Sequence, residues 1–488
     1  MKSAIAHRIL DNLCVSAASL RSLRFTGGLQ ISPQRCSACA NQANNEMNLR
    51  IEQVGKGGLP PLFPYYLAWD RAGVNRPSRL VQFNFCCFLL KWLPSGVSRK
   101  TKRTQRRRRD RTVLLALVQI VFGTLLLSTL VSSARTQPPS LKDVFKNDFM
   151  IGAALNRRQF SEEDQRAMPI INAHFNSITP ENQLKWAYVH PSPDKYDFAG
   201  SDRYVEFGEK HGMYIIGHTL VWHRQTPDWV FEDGNGKLAS REILLNRLRD
   251  HIHTVVGRYK GRIKGWDVVN EAIEANGTMR QSKWMKIIGE DYVAKAFEFA
   301  HEADPDAQLY YNDYSLENEP KRSGAIQLIK KLQASGIPIA AVGLQGHNRL
   351  NWPTAEQQDA TIAAFAKLGI KVNITELDID VLPPVSEDTG PSLKLTPELE
   401  GKLNPFAASL PETIQKEQAK RYGELFAVYL KYREVIDRIT FWGVTDGDTW
   451  LNNWPVRGRT NYPLLFDRDG KPKLAFDAVV NAGLNAKR

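Results

Sequence analysis

From residue 138 onward the sequence has no cysteine; all five, Cys14, Cys36, Cys39, Cys86 and Cys87, lie before it. That part of the chain can form neither a disulfide nor a thiol nucleophile. Cys36-x-x-Cys39 has no second pair or histidine cluster at zinc-ligand spacing, and no βαβ pattern surrounds it. Histidine is sparse, ten in all, and dispersed without an H-E-x-x-H pair. His251-x-His253 falls in a stretch of helical period, where residues two apart diverge. A phosphate-cradling G-x-x-x-x-G-K-[ST] loop is missing, as is a G-x-G-x-x-G after a strand, which argues against nucleotide chemistry. No metal and no cofactor is expected.

A positive surplus is missing from the same region. The chain carries +13 overall, yet residues 1–137 hold 21 Lys/Arg against 5 Asp/Glu, while residues 138–488 hold 44 against 47. The basic balance belongs to the leading segment, and the larger part has no excess with which to neutralise phosphates, so no nucleic-acid partner is expected.

Within the leading segment, Arg99–Arg111 carries nine Lys/Arg and one acid, Val113–Val131 follows with no charge, and then come Ser132, Ser133 and Ala134. This is the order of a secretory signal: basic n-region, apolar h-region and a small-residue cleavage site after Ala134. Residues 99–134 are therefore read as a signal peptide, with export to the medium or periplasm expected. The apolar run is long enough for an uncleaved anchor to stand as the alternative, and only then would a membrane be a partner. Residues 1–98 show no clear periodicity and are unassigned. With no methionine between Met47 and Met150, a misassigned start is the favoured explanation, with Val97 a plausible non-ATG position; an Arg-rich cytoplasmic tail binding anionic lipid or nucleic acid is the alternative.

After a Pro-rich linker at 135–140, residues 141–488 alternate short apolar β-rich runs with longer amphipathic stretches. Eight runs are found: 149–155, 175–179, 213–219, 263–269, 307–313, 339–345, 370–376 and 438–444. Segments such as 242–259 and 285–303 repeat apolar residues every three or four positions and read as helices. Eight β-then-α units imply an α/β fold, a (β/α)8 barrel, with its excess length mostly in 381–412.

Active sites of such barrels sit at the C-terminal strand ends. Here those ends are unusually polar: Thr179, Glu181, Asn182, Lys185 and Trp186 after strand two; His218, Trp222 and His223 after three; Asn270 and Glu271 after four. Strand five supplies Asn312, Asp313 and Tyr314, six Gln345 and His347, seven Glu376 and Asp378, eight Trp442, Asp446 and Trp450. Singly, each is more often a packed or capping residue. Together at one mouth they point to chemistry. Glu271 and Glu376 end strands four and seven, across the barrel from one another, and paired carboxyls across a cleft suit glycosidic cleavage, one protonating the leaving oxygen and the other attacking the anomeric carbon. Exposed tryptophans would offer flat faces to sugar C–H groups.

At these residues the sequence resembles glycoside hydrolase family 10, the retaining endo-1,4-β-xylanases. FNSITPENQLKW, HTLVWHRQTPDW, WDVVNEAIE, GLQGHN, ITELDID and FWGVTDGDTW occur in the family's order and spacing, over about residues 141–485. The resemblance implies Glu271 as general acid/base, Glu376 as nucleophile, and Asn270 as the residue bonding the sugar 2-hydroxyl. His347 and Asp378 would orient the nucleophile, His347 also bordering substrate. Glu181, Asn182, Lys185, His218 and Gln345 would bind glycone hydroxyls, and Trp222, Trp442 and Trp450 would form aromatic walls. Leu451 departs from the pattern, standing where many relatives carry arginine, which leaves the outer pocket's preference open. The implied mechanism needs a raised pKa on Glu271 while Glu376 is charged, and carboxyl groups about 5–5.5 Å apart. The implied partner is xylan or a xylo-oligosaccharide, and the implied state a monomer. Rival readings are another retaining β-1,4-glycanase such as a glucanase, a catalytically dead xylan-binding protein, and a basic tethered protein whose barrel is incidental.

Overall fold

The computed structural model describes residues 48–52, 65–70, 81–83, 139–385 and 396–486. The chain divides into two units, residues 1–133 and 134–488. In the first, Asn48–Glu52, Tyr65–Asp70 and Val81–Phe83 form a three-stranded antiparallel sheet in chain order. The sequence reading found no strand periodicity there; runs this short hold too few residues for an alternating pattern to stand out. The apolar run 113–131 lies outside the described residues, and among those described no helix is long and apolar enough to cross a membrane.

The second unit is a closed parallel barrel. Its strands are β1 Met150–Leu155, β2 Ser177–Pro180, β3 Tyr214–Val221, β4 Gly265–Asn270, β5 Gln308–Asp313, β6 Ala341–Leu344, β7 Lys371–Asp380 and β8 Ile436–Phe441. Each pairs with the next, and β8 closes on β1 with Arg438 opposite Met150. Nearly every strand residue is buried, as expected when one face meets the barrel interior and the other the helices. The surrounding helices are α1 Ala167–His174, α2 Ala199–Lys210, α3 Arg241–Arg258, α4 Tyr292–Ala303, α5 Glu319–Ala334, α6 Ala355–Ala366, α7 Glu412–Lys431 and α8 Leu474–Asn485. Helix α3 shows why they form. Ser240 caps it by accepting from the Ile243 N–H, and Leu244, Leu248, Ile252, Val255 and Val256 recur on one buried face. Gly217 on β3 is needed for packing, since a Cβ there would come within 2.1 Å of the Trp266 ring.

Two boundaries differ from the sequence reading. The helical stretch 285–303 is two pieces, Lys283–Ile288 and α4, separated at Gly289, whose φ of 97° ends the first. Glu376 is not the end of its strand: β7 runs on to Asp380 because a short strand, His347–Arg349, pairs beside it with His347 opposite Asp378. The pairing of β7 with β8 is irregular between Ile374 and Leu377, the interval that contains Glu376.

Candidate active site

Glu376 is buried at the barrel mouth. Its Oε1 accepts from Asn312 Nδ2 on β5 at 2.8 Å, and its Oε2 lies 3.1 Å from His347 Nε2. The other ring nitrogen, His347 Nδ1, is 3.1 Å from Asp378 Oδ1, and Trp450 Nε1 donates to Asp378 Oδ2 at 2.8 Å. Burial acts against charge on the imidazole, but Asp378 and Glu376 outweigh it and raise His347 to about 10. At neutral pH the ring is therefore an imidazolium that donates from both nitrogens. Burial likewise opposes charge on Glu376, but the His347 hydrogen bond, the nearby His218 and the Asn312 amide together hold it below the usual carboxylate range.

Glu271 follows β4 and is less enclosed. Its Oε1 accepts from Asn270 Nδ2 at 3.2 Å and Gln345 Nε2 at 3.1 Å, and its Oε2 stands 3.9 Å from His223 Nδ1. Burial lowers His223 to about 4 against the pull of Glu271, so this neighbour is neutral at pH 7. The Glu271 backbone has φ of 59°, a left-handed conformation that costs a residue with a Cβ about 1–2 kcal/mol. Between the carboxyls, Asn270 Oδ1 accepts from Asn312 Nδ2 at 2.9 Å and Gln345 Nε2 at 3.2 Å, which fixes the amide so that its NH2 faces Glu271.

The remaining predicted residues gather around this pair. Lys185 is buried with Nζ 3.2 Å from Asn182 Oδ1 and 4.9 Å from the Trp222 ring centroid. Burial lowers the Lys185 pKa, while the charges of Glu376, Glu181 and Glu271 act in the opposite sense. Glu181 is pushed above the usual carboxylate range by burial, with Lys185 opposing. His218 Nδ1 is held 2.9 Å from Asp267 Oδ2, and its ring meets Trp442 edge-on at 5.4 Å. Trp442 and Trp450 flank His347 at 6.3 and 4.9 Å. Outward of Glu181 and Asn182 the cleft continues into a cavity of about 300 Å3 bordered by Arg157, Arg158 and Tyr188.

Some expectations are corrected. The tryptophans are not exposed rings: Trp442 is buried, and Trp222 and Trp450 are half-buried, the last with its indole N–H tied to Asp378. Trp186 leaves the mouth and stacks on His251 at 3.6 Å. Asp446 bonds Lys473 and the Leu464 N–H, so it braces the loop after β8. Leu451 is buried. Asp267 and Thr375 were not singled out. Thr375 Oγ1 donates to Asn312 Oδ1 at 2.6 Å and so orients the amide that serves Glu376. For Asp267 a signal existed: it is an acid inside a run that reads as a buried strand, and a buried acid needs a partner, here His218.

Two carboxyls with different donor sets, one fixed by an imidazolium and the other served by neutral amides, at the rim of an eight-stranded parallel barrel define a glycoside hydrolase. The Glycosyl hydrolase family 10 model matches residues 140–482. Endo-1,4-beta-xylanase A of Xylanibacter ruminicola is 45% identical over 364 residues, spanning 75% of this chain and 98% of that protein. A solved family 10 endoxylanase retrieved from a sugarcane soil metagenome aligns with a TM-score of 0.67 and 45% identity, covering 70% of this chain and 99% of that one. A third relative, solved as a mutant in complex with xylotriose, aligns with a TM-score of 0.63 and 40% identity over 70% of this chain and 99% of its own. The chain belongs to glycoside hydrolase family 10.

Proposed function

We propose that the protein is an exported endo-1,4-β-xylanase that cleaves internal bonds of xylan with retention, Glu271 serving as acid/base and Glu376 as nucleophile. The observation that carries the reading is the chain Trp450–Asp378–His347–Glu376, which keeps one carboxylate charged and aimed while buried. In the first step the Glu271 proton passes to the glycosidic oxygen, the C1–O bond breaks, and a Glu376 oxygen bonds C1. Water then attacks C1, giving its proton to Glu271 as Glu376 departs. Asn270 is placed to meet the sugar 2-hydroxyl with its second amide hydrogen. Lys185, Asn182, Glu181, His218 and Gln345 address the glycone hydroxyls, and Trp222, Trp442 and Trp450 wall the cleft. The family membership and the relatives' names support xylan as substrate.

Export rests on the order basic stretch, apolar run, Ser-x-Ala. N-terminal sequencing of secreted protein should find a start near Arg135; recovery only in membranes with residues 99–131 attached would show an anchor. Reducing ends should appear from xylan and not from carboxymethylcellulose, and the first-formed product should be the β anomer by NMR. An α product, or preference for the cellulose derivative, would overturn the reading.

A further inference from the structure

The peptide that carries Glu271 is held by a buried polar cluster with no place in the chemistry above. Tyr311 and Asp313 on β5 are fully buried, as is Lys321 on α5. The Tyr311 hydroxyl accepts from the Ala272 N–H at 3.2 Å and donates to Asp313 Oδ2 in a short hydrogen bond. Asp313 Oδ2 also accepts from the Ile273 N–H at 3.4 Å. Its other oxygen pairs with Lys321 Nζ at 2.8 Å and accepts from the Tyr314 N–H at 2.9 Å. The Lys321 ammonium in turn sits 3.3 Å from the Tyr314 ring centroid. Upstream, the Glu271 N–H donates to Asn312 O at 2.9 Å, and Arg280 Nε donates to Glu271 O at 2.8 Å.

Each backbone polar group from the N–H of Glu271 to the N–H of Ile273 that could reorient the Glu271 carboxyl is thus engaged, and two of the N–H groups end on Tyr311 and Asp313. Glu271 has a left-handed φ of 59°, which a residue with a Cβ leaves unless its surroundings hold it. A relaxed φ would swing the carboxyl away from the amides of Asn270 and Gln345. We infer that Tyr311 and Asp313, with Lys321 neutralising the buried carboxylate, are positioning residues that hold the backbone of Glu271 in the conformation from which it delivers its proton. The inference rests on the acid/base assignment of Glu271 and adds residues that touch no substrate.

The test is a split by leaving group. A xylo-oligosaccharide departs as an alkoxide and needs the proton; a dinitrophenolate does not. Tyr311→Phe keeps the ring and removes the hydroxyl, so kcat/KM on xylotetraose should fall by up to about 100-fold, as for a reacting group misplaced by about 1 Å. On dinitrophenyl xylobioside kcat/KM should stay within about threefold of the parent, since dinitrophenolate departs without a proton. In a Glu271→Ala background Tyr311→Phe should cost nothing further of the residual rate on xylotetraose, because the group it positions is gone. Should Tyr311→Phe fail to fold, Asp313→Asn, of the same shape, is read by the same split. Equal losses on both substrates, an undiminished rate on xylotetraose, or additivity with Glu271→Ala would overturn the inference. If Glu271→Ala itself shows no split, the acid/base assignment fails instead.

Discussion

Asn312 donates from its Nδ2 to Glu376 Oε1 at 2.8 Å while the same nitrogen holds Asn270 Oδ1 at 2.9 Å, so one amide on β5 ties the candidate nucleophile to the residue beside the candidate acid. Its own carbonyl is fixed by the Thr375 hydroxyl, which leaves no freedom to flip. Asn312→Ala should therefore act in two ways. Glu376 loses a donor to its charged form, so the acidic limb of kcat/KM should move to higher pH. The rate on xylan should fall by about 10–100-fold, in keeping with a hydrogen bond to a charged group worth roughly 1.5–3 kcal/mol. An unmoved acidic limb would show that Asn312 only packs.

His347 makes a prediction at the opposite end of the pH range. Its folded pKa of about 10 lies above the ordinary 6.5, so its charge stabilises the fold fully below pH 6.5, and that contribution is lost as pH rises through 10. Glu376, held low, has the opposite sign: its contribution is present above the ordinary carboxylate value and lost as pH falls. Replacing the imidazolium by His347→Gln should flatten the decline of Tm between pH 7 and 10 and raise the acidic limb of the rate profile. Calorimetry and a pH–rate series check both, and a parallel Tm decline in parent and variant would count against the imidazolium.

What could be read from the sequence divides along physical lines. Eight strands were legible because a strand buried on both faces is a continuous apolar run, and barrel topology then places the polar residues ending those runs at one mouth. The break at Gly289 was masked because apolar residues on either side keep a helical spacing across it. Asn312 stood among the strand-end residues but its service to Glu376 did not, since that depends on the stagger of β5 against β7, strands not adjacent in sequence. The half-burial of Trp450 follows from the loop after β8 folding back until Trp450 reaches Asp378, a closure no local pattern encodes.

Away from the mouth, acid should destabilise the fold through histidines kept neutral. Burial lowers His174 to about 4 and His251 well below 6.5, the latter stacked on Trp186 with its Nδ1 3.2 Å from His190 Nδ1. Between pH 6.5 and 4 the unfolded chain takes up protons that these folded rings refuse, so stability falls as pH drops through that window. His251→Phe keeps the stacking and removes one titrating group. Its urea midpoint should fall less than the parent's between pH 7 and 4.5; an equal fall would mean that other groups govern acid unfolding.

The roles of the two glutamates are separable by what each mutant can still do. Glu271→Ala should cripple hydrolysis of xylan, whose departing alkoxide needs a proton, yet spare the first step on an aryl xylobioside, because a nitrophenolate leaves unaided. The second step then lacks its base. The glycosyl-enzyme should accumulate, visible as the added mass of two pentose units on the intact protein, and azide, which needs no base, should restore turnover and give the β-glycosyl azide. Glu376→Ala removes the attacking oxygen and should abolish turnover of both substrates, any azide product having the inverted α configuration from direct attack in the vacated space. Equal inactivity of Glu271→Ala on both substrates without azide rescue, or substantial aryl activity in Glu376→Ala, would reverse the assignment, since an acid/base carboxyl is dispensable for a first step whose leaving group needs no proton, and azide bypasses its role as base in the second.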